Sequence, residues 1–347
     1  MSEFDGLTTE KNKCLFIVEG DHEKDQLFNL IFRCFPETNM SVDDIVIYGT
    51  TIYTLYNEIV KVYGPTLAEW ERKEVNLPKL VLGNPDTSSN QPRMKFSKIF
   101  LIFDYERQHP FFSESKILDM QSYFSNVLDR GQLFINYPMV EAYQHLCSFP
   151  DQGYEERRVA ASIRKGREYK TRVKNERNSS ISQIIKFPSF LEGKLSEIEI
   201  SDSVTRNRCI NEIMKLVIDD LELPQKIEGC LLGIVKDEYL TNAKNHIASQ
   251  MRRIDGRETG QSFFSYARDV LCKIILHNIR KANKVQNNSY NIPNEKLKAI
   301  FQGLDLTKIL EIQNHCSQNG DDGFIWVLCT CVLFIPQYNF DLLTISE

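Results

Sequence analysis

Apolar positions in the first 150 residues fall into short unbroken runs, separated by stretches of helical spacing. The run Cys14-Leu15-Phe16-Ile17-Val18 puts apolar side chains on both faces of an extended chain, the pattern of a strand covered on two sides. Over about 22–35, Leu27, Leu30, Ile31 and Cys34 recur at helical spacing and predict a helix. Ile45 to Tyr48 predicts a second strand. Thr51 to Tyr63 predicts a helix with Ile52, Leu55, Tyr56, Ile59 and Val60 on its apolar side. Residues 98–104 predict a third strand, Phe111 to Leu128 a mostly helical segment, and Leu133 to Tyr137 a further strand ended by Pro138. The stretch from Gly83 to Pro92 is rich in Gly, Asn, Pro, Asp and Ser and predicts a loop. Strands alternating with helices imply an α/β domain over about 10–150, with a largely parallel sheet flanked by helices.

The second half, 151–347, reads as a mainly helical region. Helical patterns lie near 155–180, 204–220, 227–250, 261–284, 294–303 and 306–316. Residues 323–335 fit a helix or a buried strand equally. The longest apolar run, Phe324 to Pro336, falls short of the roughly 18–20 residues of a membrane span. The polar start, Met1 to Lys13, does not read as a secretory signal. The nine cysteines are scattered and odd in number, which fits reduced thiols and a cytoplasmic location. Cys329 and Cys331 sit in an apolar run and read as buried thiols, and His315-Cys316 matches no zinc spacing.

The candidate chemistry sits where two apolar runs end. Cys14–Val18 is followed by Glu19 and Gly20, and Ile99–Phe103 by Asp104-Tyr105-Glu106. In open α/β sheets ligands bind outside the carboxyl ends of the strands. Two such strands side by side would gather three carboxylates there, an arrangement that cations must neutralise. Magnesium, or manganese, suits such a set, because it takes oxygen ligands and keeps several waters. Glu23 lies four residues after Glu19 and either faces the same cleft or favours a helix start. His22 reads as a ligand, a proton shuttle or an ordinary polar residue. Lys24 is placed to touch a phosphate, or is simply solvated.

This combination of apolar strand, Glu-Gly, helix, and later strand ending in Asp-x-Glu resembles the Toprim domain. That domain is shared by topoisomerases, primases, small ribonucleases and OLD-family nucleases. The resemblance implies that Glu19, Asp104 and Glu106 carry the chemistry. The family's acidic pair is usually Asp-x-Asp, whereas Glu106 here is one methylene longer, and the motif separation implies an insertion around 64–97. The segment Asn136-Tyr137-Pro138-Met139-Val140-Glu141-Ala142-Tyr143 looks like one found in Toprim effectors of PARIS-type phage-defence systems. The resemblance spans about residues 12–180. It implies a metal-dependent ribonuclease that cleaves host transfer RNA and is held inactive by an ABC-type ATPase partner. Glu141 is a candidate further metal ligand, with an N-terminal helix acid as the alternative.

The formal net charge is -5, so nucleic-acid binding must rest on local patches. Residues 157–177 hold nine cations against Glu168 and Glu176. Arg164, Lys165, Arg167, Lys170, Arg172 and Lys174 are candidates for the phosphate backbone, and Tyr169 for stacking on a base. A solvated helix face or a dock for an acidic partner are the alternatives. A second basic set, Lys273, His277, Arg280, Lys281 and Lys284, reads as an ordinary amphipathic helix that would alternatively extend an RNA path or meet a partner. His277 reads as a surface or partly buried residue. No P-loop is present, so any ATPase would be a partner. The leading expectation is a transfer-RNA nuclease, with a homodimer compatible but not demanded. The alternatives are an OLD-type DNA nuclease and a non-catalytic Toprim sensor or scaffold.

Overall fold

The computed structural model describes residues 13–83, 96–318 and 322–344. A five-stranded sheet forms from β1 (Lys13–Val18), β2 (Ile45–Ile47), β3 (Phe96–Asp104), β4 (Ser125–Asn126) and β5 (Gly131–Asn136), in the order β2-β1-β3-β5-β4. β2, β1, β3 and β5 run parallel, and short β4 adds an antiparallel edge. Cys14–Val18 and Phe100–Phe103 are buried, as expected for strands covered on both faces. A separate antiparallel pair, β6 (Arg158–Ala160) and β7 (Phe324–Trp326), joins the middle of the chain to its distal part.

Side-chain alternation assigns the two faces. Phe16 and Phe100, paired in register, stack at 4.6 Å between ring centroids. Phe28, Phe32 and the distal Phe334 pack their rings on Phe16. Asp104 has the same parity as Phe100 and therefore ends on this face. On the other face, Tyr53 of helix Ile52–Tyr63 donates a hydrogen bond to the Tyr105 carbonyl at 3.3 Å.

The helical second half departs from its expected boundaries in places. Residues 155–180 begin with β6, because Arg158–Ala160 finds a partner strand more than 160 residues away. The stretch 227–250 is two helices, Leu223–Leu231 and Asp237–Arg252, with Gly233 between them at φ 75°. The ambiguous 323–335 is both strand and helix: β7, then a 3₁₀ turn at Cys331–Leu333 leading into Phe334–Asn339. The segment Phe111 to Leu128 shortens to helix Glu114–Tyr123, since Ser125–Asn126 pairs with β5. Within the proposed insertion the chain forms helices Leu67–Lys73 and Leu77–Leu82, while 84–95 lies outside the described residues, and with it most of the expected loop.

Helix Phe263–Asn287 runs through this region, capped by Ser262 and closed by Asn288 in a left-handed conformation. Its cations do not form an open basic face. Lys273 pairs with Asp269, Lys284 with Glu155 and Glu156, and Arg280 donates to Asn294. Lys281 is fully buried and donates to the carbonyls of Tyr154, Glu155 and Arg157 at 2.8–2.9 Å. His277 is buried beside Tyr290, 2.6 Å from its hydroxyl. Most of this helix is buried, and its cations are engaged with groups of the chain itself.

Cys329 and Cys331 are buried thiols with sulfurs 3.4 Å apart, as their apolar surroundings predict. Among the described residues, no helix is long and apolar enough to cross a membrane.

Burial pushes both His145 and His277 down to about 4, below the 6.5 of an exposed imidazole. Both are thus neutral in the fold at pH 7, and the unfolded chain takes up their protons first. Stability should be full above pH 6.5 and fall as pH drops toward 4, by roughly 1.4 kcal/mol per pH unit for each histidine. Urea unfolding between pH 4 and 8 checks this. A flat profile in the wild type, or an unchanged slope in His277→Asn, would remove the assignment.

Candidate metal centre

The sheet order makes a crevice at the carboxyl ends of β1 and β3. From β1 the chain moves outward to β2, then returns to place β3 on the opposite side. This reversal is the topological switch point at which open α/β sheets bind ligands. Glu19 leaves the end of β1, and Asp104 closes β3. The backbone N–H of Asp104 donates to Glu19 Oε2 at 3.2 Å, which ties the two strand ends together. Asp104 is only 4% exposed, and its Oδ1 accepts from the Val140 N–H at 2.9 Å.

Two residues on, Glu106 adopts φ 46°. A non-glycine residue in the left-handed region costs roughly 1–3 kcal/mol and persists only where its surroundings enforce it. Tyr105 supplies that enforcement. Its side chain is buried, with its hydroxyl 2.7 Å from Asn314 Oδ1 and 3.0 Å from Ser317 Oγ. Its N–H donates to the Asn136 carbonyl. Glu19, Asp104 and Glu106 each present a ligand atom within 4.8 Å of the others. Three oxygen donors at this separation suit a hard divalent cation such as magnesium or manganese, with water completing the shell.

Glu23 and Glu141, the other two candidate acids, lie in the adjoining pocket. Glu23 opens a π-helical turn, Glu23–Phe28, and its Oε2 accepts from the Gly20 N–H at 3.2 Å. Burial, then the charges of Asp104 and Glu141, push its carboxyl up to about 8, against the pull of backbone hydrogen bonds. Glu141, on the 3₁₀ turn Val140–Gln144, is 4% exposed. Its Oε1 lies 2.9 Å from Lys170 Nζ and 3.4 Å from His22 Nε2. Burial depresses His22 more than Glu141 raises it.

Lys170 connects this pocket to the basic segment. A second π-helical turn, Lys165–Tyr169, runs into helix Lys170–Glu176. Arg164, Arg167, Arg172 and Lys174 are exposed along it, while the side chain of Lys165 lies outside the described residues. Arg164 approaches Glu168 at 3.8 Å, and Arg172 pairs with Glu176 at 2.9 Å. Tyr169 contradicts its expected role. It is fully buried, with its hydroxyl 3.2 Å from His145 Nδ1, so no base can stack on it. In a stretch so rich in charge, an aromatic residue is as apt to anchor the segment as to meet a ligand. Lys24 is half-buried near the start of the first π turn.

Sequence reasoning missed that Lys170 reaches the carboxylate pocket. It also missed Asn136, whose Oδ1 accepts from the Cys331 N–H at 3.1 Å beneath Asp104's neighbouring strand. The two π turns were a further hidden feature. Such turns often mark functional sites, but nothing in residue type announces them. Comparisons with protein-family models, curated proteins and solved structures find no match to this chain.

Proposed function

We propose that this chain is a metal-dependent phosphodiesterase that cleaves RNA. The observation that carries the reading is the convergence of Glu19, Asp104 and Glu106 at the sheet's switch point, beside an exposed basic turn that reaches the same pocket through Lys170. Bound there, magnesium would activate water and offset negative charge on a phosphodiester. The chain's own residues do the rest. Arg164, Arg167, Arg172 and Lys174 hold backbone phosphates. Asp104 stays oriented by the Val140 N–H, and Glu19 by the Asp104 N–H. Glu23, buried beside the triad, serves as the proton donor to the leaving oxygen. Transfer RNA as substrate, an ABC-type ATPase as controlling partner and a role in phage defence come from the Toprim resemblance.

The test is incubation of the purified chain with total cellular RNA and with duplex DNA, in magnesium and in EDTA. Discrete metal-dependent RNA fragments support the reading. Cleavage of duplex DNA alone would shift it to a DNA nuclease, and metal-independent or absent cleavage with the ATPase partner present would favour a sensor or scaffold. Combining Arg164→Ala, Arg167→Ala and Lys174→Ala should weaken RNA binding and reduce the slope of log affinity against log salt by about 2–3, near one unit per phosphate contact. An unchanged salt slope in filter binding would take this turn out of the RNA path.

A further inference from the structure

The two π turns bring opposite charges to one pocket. One starts with Glu23, and the other hands over to Lys170. Glu23 and Glu141 are each 4% exposed, whereas the Lys170 side chain is 45% exposed. The lysine stem thus comes from the surface and lowers its ammonium to 2.9 Å from a buried carboxylate. The lysine is held there from behind. Tyr169, its chain neighbour, is buried against His145, and Val173, one turn on, is buried as well.

Carboxylates crowded out of water need a cation among them. In two-ion phosphodiesterase sites the second cation sits about 3.5–4 Å from the first and meets that need. Here the pocket next to the triad already contains a positive charge that belongs to the chain. Building on the nuclease reading, we infer that the site binds one divalent ion, at Glu19, Asp104 and Glu106, and that the Lys170 ammonium occupies the place of a second. A tethered ammonium cannot exchange with solvent and carries one charge, so it neutralises Glu141 without adding a second activated water. It also makes Glu141 a partner of lysine, not a metal ligand.

The test counts ions. Metal-stripped full-length protein is titrated with manganese chloride, followed by calorimetry and by loss of the free-ion electron paramagnetic resonance signal. The wild type should bind one ion per chain, and Lys170→Arg should also bind one. Lys170→Met should bind two, with the second lost again when Glu141→Gln is added. Two ions in the wild type overturn the inference without any variant having to fold. One ion in a folded Lys170→Met, checked by circular dichroism, overturns it equally. Both results leave the metal reading of the triad intact. No ion in the wild type would remove that reading and this inference together.

Discussion

Glu19→Gln should abolish metal-dependent cleavage and, in EDTA, make the protein more stable. The two effects share one cause. Glu19, Asp104 and Glu106 offer oxygens within 4.8 Å of one another, and Asp104 is almost wholly out of solvent. Unit charges at that separation repel by several kcal/mol at the effective dielectric near a protein surface, and by less where water reaches them. Removing one charge should therefore stabilise the ion-free fold, by about 1 kcal/mol after solvent screening. The amide oxygen can still accept the Asp104 N–H that Glu19 Oε2 now takes, so local geometry need not change. Cleavage should fall by roughly 10²–10³-fold or more, the usual penalty for losing one preorganised electrostatic contact at a transition state. Thermal unfolding in EDTA and in magnesium reads both sides of the argument. The wild type should gain stability on adding magnesium, and Glu19→Gln should start higher and gain little. A variant that is less stable in EDTA would mean that the carboxylates do not repel, and would sink the metal reading before any substrate is tried.

Lys281→Met should be the most damaging single change outside the site, costing about 3–5 kcal/mol. Burial pushes this amine down to about 7. Three carbonyl oxygens nevertheless surround it at 2.8–2.9 Å, and the Trp326 ring lies 4.4 Å from its nitrogen. Three acceptors need three N–H donors, which only the ammonium has. Methionine fills the volume but removes this donor from all three carbonyls, and only those of Tyr154 and Arg157 keep a backbone N–H, from Arg157 and Val327. The carbonyls belong to residues 154–157, which lead directly into β6. The same stretch carries Arg157, bonded to Asp151 at 2.5 Å and to the His145 carbonyl at 2.7 Å. Urea unfolding measures the loss. A cost below about 1 kcal/mol would mean that water replaces the ammonium. The wild type offers an independent check between pH 7 and 10. A neutral amine in the fold would make stability rise with pH there, because the unfolded chain would still hold the proton, whereas an ammonium keeps that range flat.

β1, β3 and β5 were legible because each carries an unbroken apolar run, a local pattern that needs no knowledge of partners, whereas Ser125–Asn126 is polar and exposed and was read as part of a helical segment. Glu19, Asp104 and Glu106 were legible for a related reason: charge placed directly after such a strand must sit at its end. Boundaries failed where long-range pairing decides the outcome. Nothing near Arg158–Ala160 reveals that Phe324–Trp326 will lie beside it, so a strand was read as helix. Side-chain roles failed where burial decides them. Tyr169 and Lys281 sit in charged, helical surroundings that look solvated from composition, yet each is buried and satisfied by partners more than 20 residues away. The contact of Lys170 with Glu141 was not legible, because the two residues lie on separate stretches of chain.

The distal segment that covers the sheet also imposes an order of events during translation. Leu328 bridges Tyr137, the Thr330 hydroxyl donates to the Ile135 carbonyl, the Cys331 N–H donates to Asn136 and Phe334 closes over Phe16. All four contacts support the strand beside Asp104 or the face on which it ends. They come from residues synthesised long after the carboxylates and the basic turn. A nascent chain can emerge with every metal ligand and phosphate-binding residue already made, and still lack the packing that holds them in place.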